Sequence, residues 1–329
     1  MAIVSLSNTK QFSCSAEATI LDAAQAQGIV LDHSCRTGRC GACKAKVISG
    51  STQIIKPEVS LTNDELQLGY ILTCSRTALN NINLDIEDLG RLGSIKIKTL
   101  PCRIDNIYKL APDVIRIILR LPPNNNLEYL CGQYIDVIAP NGVRRSYSIA
   151  NSRLMADKIE LHIRQVNEGE MSEYWFNHAK INDLLRFEGP HGTFCFREKP
   201  QNNIIFLATG TGIAPVKSIL EDLNFDAASM TAKKFYIYWG GRSLQDIYWR
   251  PDFSQLNLSF IPTLSQEHPD WTGRRGYVQD ALVADNIDLT DSVVYACGSN
   301  DMIHSAQKLL LLHGLETKNF YSDAFVSSK

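Results

Sequence analysis

Four cysteines in the first quarter of the chain have a spacing that could hold a metal cluster. The stretch HSCRTGRCGACKAK places Cys35, Cys40 and Cys43 in one short loop, and Cys74 follows in a separate segment, LTCSRTA. The order C-x4-C-x2-C…C is a spacing by which four thiolates bind a [2Fe–2S] cluster. Glycines within the loop allow the backbone to turn sharply around the sulfurs. The spacing therefore predicts an iron–sulfur cluster.

Other uses of these cysteines fit the sequence less well. A structural zinc site would require two C-x2-C pairs, but Cys74 has no cysteine near it. A Rieske centre would require two histidine ligands, and only His33 lies near the loop. Disulfide bonds would require an oxidising compartment, whereas MAIVSLSNTKQF has neither the basic start nor the apolar run of a signal peptide. We therefore expect a cytoplasmic protein with reduced thiols. The five remaining cysteines are expected to be small buried residues: Cys14, Cys102, Cys131, Cys195 and Cys297.

Composition narrows the class of protein. The chain has 329 residues, enough for two or three domains, and its 44% apolar and 21% charged content is that of a globular protein. A formal net charge of -2 gives no reason to expect nucleic acid as a partner. No apolar run is long enough to span a bilayer, so no membrane insertion is expected.

The pattern of apolar residues divides the chain into three domains. Residues 1–90 contain an opening hairpin, a short helix, the cysteine loop and a further strand, and this order resembles the β-grasp fold of plant-type ferredoxins. Residues 87–95 look like a linker. Residues 96–198 contain closely spaced strands, which predict an antiparallel β-barrel. Residues 199–329 alternate strands and helices, which predicts a doubly wound parallel sheet.

One strand of the predicted barrel shows clear period-two alternation. In KIELHIRQV the apolar residues Ile159, Leu161 and Ile163 alternate with polar residues. This alternation predicts a strand of the barrel.

The tetrapeptide Arg145-Ser146-Tyr147-Ser148 offers the groups that a flavin nucleotide needs. Arginine can bind a phosphate through two nitrogens, tyrosine can stack along the flavin, and a serine hydroxyl can reach its reactive edge. Taken alone the motif is weak, because exposed arginines and half-buried tyrosines are ordinary residues of barrels.

Three glycine-containing turns could accept further parts of such cofactors. Gly169–Ser172 precedes a predicted helix, and free N–H groups at a helix start bind pyrophosphate. Ala208–Pro215, with the sequence ATGTGIAP, joins a strand to a helix, although Pro215 stands where a dinucleotide fingerprint has its last glycine. Cys297 and Gly298 end another strand, where Cys297 could border a nicotinamide or be a buried structural cysteine.

Together these motifs resemble those of the ferredoxin–NADP reductase superfamily. The stretches RSYS, GEMS, GPHGTF, GTGIAPV, YWGGR and CGS occur in the order seen there, and the ferredoxin-like start extends the resemblance to essentially the whole chain. The domain order is similar to that of the reductases of aromatic-ring oxygenases. The passages RSYSIAN, IELHIRQV and GTGIAPVKSIL resemble the reductases of 3,6-dideoxyhexose synthesis more closely.

The resemblance implies a role for individual residues. It implies that FAD is held by Arg145, Ser146, Tyr147, Ser148, His162, Ile163, Gly169, Met171 and Ser172, with Ser148 near the reactive flavin nitrogen. It implies that the nicotinamide nucleotide is held by Gly210, Thr211, Gly212, Pro215, Arg242, Cys297 and Gly298. Cys297 would sit near the carbon that donates hydride, and Phe325 would cover the flavin ring.

The implied activity is electron transfer from NADH to FAD, then to the [2Fe–2S] cluster, and then to a protein partner. NADPH is the alternative donor. The implied partner is a pyridoxamine-phosphate-dependent dehydrase acting on a CDP-6-deoxy-4-ketohexose in lipopolysaccharide sugar synthesis, or alternatively an oxygenase component. Arg36, Arg39 and Lys44 around the loop could steer an acidic partner. A redox sensor or electron carrier is an alternative of another class, which would show no sustained NADH oxidation.

We predict that Cys40→Ser loses the cluster and keeps FAD, because the spacing makes Cys40 a cluster ligand. The variant should still reduce ferricyanide with NADH but should reduce cytochrome c poorly. Cofactor content is measured by absorbance and both reductions by steady-state kinetics. An unchanged cytochrome c rate would contradict the proposed electron order.

Overall fold

The computed structural model describes residues 1–90, 92, 95–123, 127–139, 141–155, 157–266 and 269–325. These residues belong to two units, the first formed by Met1–Lys96 with Gly192–Phe194 and the second by Ile97–His191 with Cys195–Phe325. The predicted linker, residues 87–95, lies partly outside the described residues. In the described ranges, no helix has the length and apolar character needed to cross a membrane.

The first unit contains a five-stranded mixed sheet and two short helices. Its strands are β1 (Ala2–Leu6), β2 (Gln11–Cys14), β3 (Lys44–Ser49), β4 (Thr52–Ile54), β5 (Tyr70–Leu72), β6 (Arg76–Ala78) and β7 (Ile82–Asp85), and its helices are α1 (Ile20–Ala26) and α2 (Asn63–Gln67). The sheet order is β2-β1-β7-β3-β5, with β1 parallel to β7, and β4 pairs separately with β6. The expected β-grasp domain is confirmed.

Capping residues define the helices on either side of the cysteine loop. The Thr19 side chain accepts a hydrogen bond from the Asp22 N–H at 3.0 Å and so begins α1. Gly28 follows this helix with a φ of +74°, a conformation that glycine adopts without strain. Thr62 and Glu65 form a reciprocal capping box at the start of α2. The apolar face of α1 is buried in the core of the unit.

The second unit begins with an antiparallel barrel. Its strands are β8 (Lys98–Ala111), β9 (Val114–Arg120), β10 (Tyr134–Ile138), β11 (Arg144–Ser148), β12 (Lys158–Arg164) and β13 (Leu184–His191), and its helix α3 (Glu170–Glu173) continues as a π-helical turn, Tyr174–His178. The strand order is β11-β10-β13-β8-β9-β12. A bridge between Ile149 and Leu161 joins the two edge strands and closes the barrel.

A parallel sheet with helices follows in the same unit. Its strands are β14 (Asn203–Thr209), β15 (Lys234–Gly241), β16 (Leu258–Leu264), β17 (Arg274–Arg275), β18 (Ser292–Gly298) and β19 (Phe320–Ala324), and its helices are α4 (Ile213–Phe225), α5 (Val278–Ala284) and α6 (Asn300–Leu312). The order is β17-β16-β15-β14-β18-β19, and every pair is parallel. The chain therefore reverses its direction of winding between β14 and β18, and ligands bind at the carboxyl ends of strands at such a point.

Two glycines of the first unit provide a matched test of backbone crowding. Gly28 and Gly38 share a φ of +74°, but a Cβ on Gly38 would lie 1.9 Å from the Pro57 carbonyl oxygen, whereas a Cβ on Gly28 would have no atom within 4 Å. We expect Gly28→Ala to destabilise the unit by about 1 kcal/mol through backbone strain alone.

We expect Gly38→Ala to destabilise the unit at least twice as much and to lower its iron content, because the Pro57 backbone must move. Thermal unfolding and iron analysis of the full-length protein measure both effects. Equal losses in the two variants would show that crowding at Gly38 is unimportant.

Candidate functional site

The four predicted cluster ligands lie together as two pairs of thiols. The Cys43 thiol donates to Cys74 Sγ at 3.2 Å, and Cys40 hydrogen-bonds Cys35. The Cys35 N–H donates to Cys40 Sγ at 3.5 Å, and the Thr37 N–H donates to Cys35 Sγ at 3.4 Å. Cys35 is half-buried and the other three are buried. The cysteine loop therefore supplies both sulfur atoms and backbone donors that face them.

Each pair contains one thiol whose pKa is lowered. The hydrogen bond from Cys40 lowers the pKa of Cys35 to about 5, and that from Cys43 lowers the pKa of Cys74 to about 7. Among the described residues, no group of three or more histidine, cysteine or carboxylate side chains could hold a single metal ion. Two pairs of thiolates are what a two-iron cluster requires, one pair for each iron. The residues therefore fit a [2Fe–2S] cluster.

Arg36 and Lys44 beside the cysteine loop have carboxylate partners. Arg36 lies 2.7 Å from Asp22, and Lys44 forms an ion pair with Glu65. Neutralising partners reduce the long-range field that such cations produce. The expectation that Arg36, Arg39 and Lys44 steer an acidic partner stays a prediction.

The predicted flavin tetrapeptide forms β11. Arg145 and Tyr147 are half-buried on one face of the strand, and Ser146 lies on the other face, where its hydroxyl donates to Asp136 Oδ1 at 2.6 Å. Ser148 ends the strand and is buried. The side chains of Arg145 and Tyr147 thus share one face of the strand, whereas the Ser146 side chain does not.

Trp175, to which no sequence motif pointed, holds Tyr147 in place. Its indole N–H donates to the Tyr147 hydroxyl at 3.0 Å, and the two rings meet edge to face with centroids 6.2 Å apart. Burial raises the pKa of Tyr147 to about 12, so the phenol stays protonated. The only sequence signal for this contact is an aromatic cluster, EYWFNHA, directly after GEMS.

The start of α3 lines a cleft of ≈ 780 Å³ whose wall includes residues 165–174. Gly169 begins the turn, where an added Cβ would lie 3.0 Å from the Val166 carbonyl oxygen. Ser172 Oγ accepts from the Val166 N–H at 2.9 Å, and Met171 is buried. The helical run continues to His178, so its N-terminal end can accept a phosphate in this cleft.

The ends of β14 and β18 touch at the reversal point of the parallel sheet. A Cβ on Gly212 would lie 2.2 Å from the Cys297 carbonyl oxygen. A Cβ on Gly298 would lie 2.1 Å from Thr209 Oγ1, which accepts from the Ser299 N–H at 3.2 Å. Glycine is required at both positions because any side chain would separate the two strand ends.

The other predicted nucleotide residues surround this point. The Phe325 N–H donates to the Gly298 carbonyl at 2.8 Å, and its side chain is 39% exposed. Cys297 is fully buried, and burial raises the pKa of its thiol well above the usual value, so the side chain is a neutral thiol. The residues at the start of the turn, Gly210 and Thr211, are half-buried, and Pro215 lies in the first turn of α4. Arg242 is exposed after β15.

The period-two pattern correctly predicted a strand at β12, and both faces of this strand are buried. His162 and Ile163 are both buried, and so is Glu160. The polar face is covered because Glu160 pairs with Lys217, and His162 hydrogen-bonds Tyr248. Both partners belong to the parallel-sheet half of the second unit.

Three family models match successive parts of the chain. They are described as a 2Fe-2S iron-sulfur cluster binding domain at residues 4–78, an oxidoreductase FAD-binding domain at residues 101–196 and an oxidoreductase NAD-binding domain at residues 206–308. The matched stretches contain the thiol pairs, β11 with its cleft, and the β14–β18 junction respectively.

Individual relatives match the chain from end to end. The chain is 42% identical over 324 residues to a CDP-6-deoxy-L-threo-D-glycero-4-hexulose-3-dehydrase reductase of Yersinia pestis, covering 97% of this chain and 96% of the relative. The chain belongs to the iron–sulfur flavoprotein reductases of the ferredoxin–NADP reductase type. It is also 31% identical over 325 residues to reductase component 1 of a terephthalate 1,2-dioxygenase from Comamonas, covering 96% of this chain and 95% of the relative.

The fold is shared with solved reductases. A cytochrome P450 reductase of Amycolatopsis, GcoB, superposes with a TM-score of 0.73 and 26% identity over 99% of each chain. The predicted fold class, three cofactor domains and oxidoreductase activity are therefore confirmed.

We predict that Arg145→Ala weakens FAD retention about tenfold or more, because a charge-assisted contact to phosphate is lost. Arg144→Ala is the matched control, since Arg144 projects to the other face of β11 and pairs with Glu188 at 3.2 Å. FAD released on dilution or gel filtration is measured by fluorescence. Full flavin retention by Arg145→Ala, or equal loss in both variants, would refute the assigned role.

Proposed function

We propose that this reductase delivers electrons from NADH to a pyridoxamine-phosphate-dependent dehydrase that deoxygenates C3 of a CDP-6-deoxy-4-ketohexose. The observation that carries the proposal is the 42% identity, from end to end, with a reductase named for that dehydrase. FAD, when bound, accepts two electrons as hydride and releases them singly to the one-electron cluster. The product would be a dideoxy sugar of lipopolysaccharide, and the proposed location is the cytoplasm, where thiol ligands stay reduced.

We assign the flavin contacts to the barrel. Arg145 would bind the pyrophosphate together with the turn around Ser172, Tyr147 would lie along the flavin, and Ser148 would approach its reactive nitrogen. The shared face of Arg145 and Tyr147 and the cleft at the start of α3 support this assignment. We propose residues 1–90 as the limits of the cluster domain, 96–198 as those of the FAD domain and 199–329 as those of the nucleotide domain.

We assign the nicotinamide to the junction of β14 and β18. Thr211 would face both rings, Cys297 would lie beneath the hydride-donating carbon as a neutral thiol, and Phe325 would cover the flavin until nicotinamide enters. The exposed edge of Phe325, hydrogen-bonded through its backbone to Gly298, supports this arrangement.

NADH is the proposed donor and NADPH the alternative. The Arg242 N–H donates to Asp246 at 2.9 Å just after β15, so a carboxylate lies beside Arg242. The preference for NADH follows the family resemblance. A comparison of kcat/KM for the two nucleotides decides between them.

The partner is tested by anaerobic NADH oxidation with the purified dehydrase, pyridoxamine phosphate and the CDP-ketohexose. We expect sustained oxidation with one deoxygenated sugar formed for each NADH, and no sustained oxidation when the dehydrase is omitted. The Cys40→Ser variant is the control, since it should take up hydride without supporting deoxygenation. Oxidation without sugar product would exclude the dehydrase as the acceptor.

The second candidate partner is an oxygenase component. The 31% identity with a terephthalate dioxygenase reductase, again over nearly the whole chain, favours it over other acceptors. Hydroxylation of an aromatic substrate by an added oxygenase component, at a rate above that with the dehydrase, would establish this partner instead.

A further inference from the structure

The polar face of β12 is covered by residues of the parallel-sheet half of the second unit. Three residues spaced two apart project to one side of the strand, and each contacts one side chain from that half. The contacts are Glu160 with Lys217 at 3.2 Å, His162 with Tyr248 at 3.3 Å and Arg164 with Asp246 at 2.8 Å. Strand β12 thereby joins the barrel half of the second unit to its parallel-sheet half by three polar contacts, one at every second residue.

Lys217 is the centre of this arrangement. It lies on α4 and is only 8% exposed. Its ammonium donates to the Ala150 carbonyl at 2.9 Å and to Glu221 at 2.6 Å, and lies 3.2 Å from Glu160. Three acceptors match the three protons of an ammonium group, and a buried charge is tolerated only when it is paired in this way.

The histidine in this arrangement has a defined tautomer. His162 Nε2 lies 2.8 Å from Glu160, and an ionised carboxylate can only accept, so Nε2 carries the proton. Nδ1 then accepts from the Tyr248 hydroxyl. Burial lowers the pKa of His162, and although burial alone would raise the pKa of Glu160, its bonds to His162 and Lys217 hold that pKa below its usual value.

The contacts of Lys217 connect two segments. The proposed function assigns one of them to the flavin and the other to the nicotinamide. Ala150 follows Ser148 by two residues, on the flavin side. Lys217 follows Thr211 on the same helical segment, on the nicotinamide side. A shift of Lys217 would therefore be transmitted to both.

Two neighbouring hydrogen bonds hold the same backbone segment to α4. The Ser218 hydroxyl donates to the Asn151 carbonyl at 2.6 Å, and Glu221 accepts from the Ser152 N–H at 2.9 Å. The segment after β11 is therefore fixed to α4 at three successive residues.

We propose that Lys217 is a positioning residue that sets the distance between flavin and nicotinamide by tying the end of β11 and the polar face of β12 to α4. In the reaction it serves, NADH loses a hydride and becomes NAD⁺ while FAD gains the two electrons. This inference rests on the proposed function of the site and adds a residue that touches neither cofactor.

The test is Lys217→Met, which keeps the length of the side chain and removes its charge and donors. We expect reduction of bound FAD by NADH, followed by stopped-flow absorbance, to slow about tenfold or more, because small misplacements of reacting groups are costly. FAD content and dithionite reduction of the cluster should not change. In the protein without nucleotide, amide hydrogen exchange should speed up at residues 150–152.

Lys158→Met is the matched control. Lys158 is on the same strand and pairs with Asp105 at 3.0 Å within the barrel, so its loss should leave both the flavin reduction rate and hydrogen exchange at residues 150–152 unchanged. If Lys217→Met does not fold, Glu160→Gln is measured in the same way, since it removes the charge and keeps the shape.

The outcomes separate the inference from the proposed function. Wild-type rates of flavin reduction in folded Lys217→Met or Glu160→Gln, or an equal loss in Lys158→Met, would overturn the positioning role. Failure of NADH to reduce FAD in the wild-type protein would instead overturn the proposed function. A slower rate explained wholly by lost FAD would also overturn the inference.

Discussion

The close approach of two strand ends is the constraint on which the nucleotide half depends. Gly212 packs against the Cys297 carbonyl, and Gly298 packs against the Thr209 side chain, each at a distance that leaves no room for a Cβ. This contact fixes where α4 begins and therefore where Thr211 and Lys217 lie. The turn between β14 and α4 is tight because its backbone packs against the end of β18. This packing does not depend on a bound phosphate.

Charged side chains buried between the barrel and the parallel sheet of the second unit help to specify how these two halves pack. Replacing a buried ion pair with apolar residues often leaves stability unchanged, so pairs such as Lys217 with Glu160 are weak evidence for strength. They do require one relative placement of α4 and β12, because a shift would leave buried charges unpaired. The arrangement suits a reductase that must bring two rings into contact.

In the cluster-binding unit, local turns position most of the cysteine sulfurs. The loop from Cys35 to Cys43 is short, so three sulfurs are placed by local turns, including the crowded one at Gly38. Cys74 comes from a distant segment and pairs with Cys43 through the fold of the sheet. Two of the cations beside the loop, Arg36 and Lys44, are paired with carboxylates.

The sequence by itself determined the three cofactor domains and most elements, and it predicted the four cysteines that the fold brings together, because cysteine spacing, glycine turns and apolar periodicity are local properties. It correctly grouped Arg145 and Tyr147 with the flavin domain and Gly210–Gly212 with the nucleotide domain. Only the tertiary structure decided that Glu160 and His162 are buried, that Trp175 holds Tyr147, and that Lys217 joins the two halves. Those contacts link residues far apart in the chain, and period-two alternation cannot distinguish a polar face in water from one covered by polar partners.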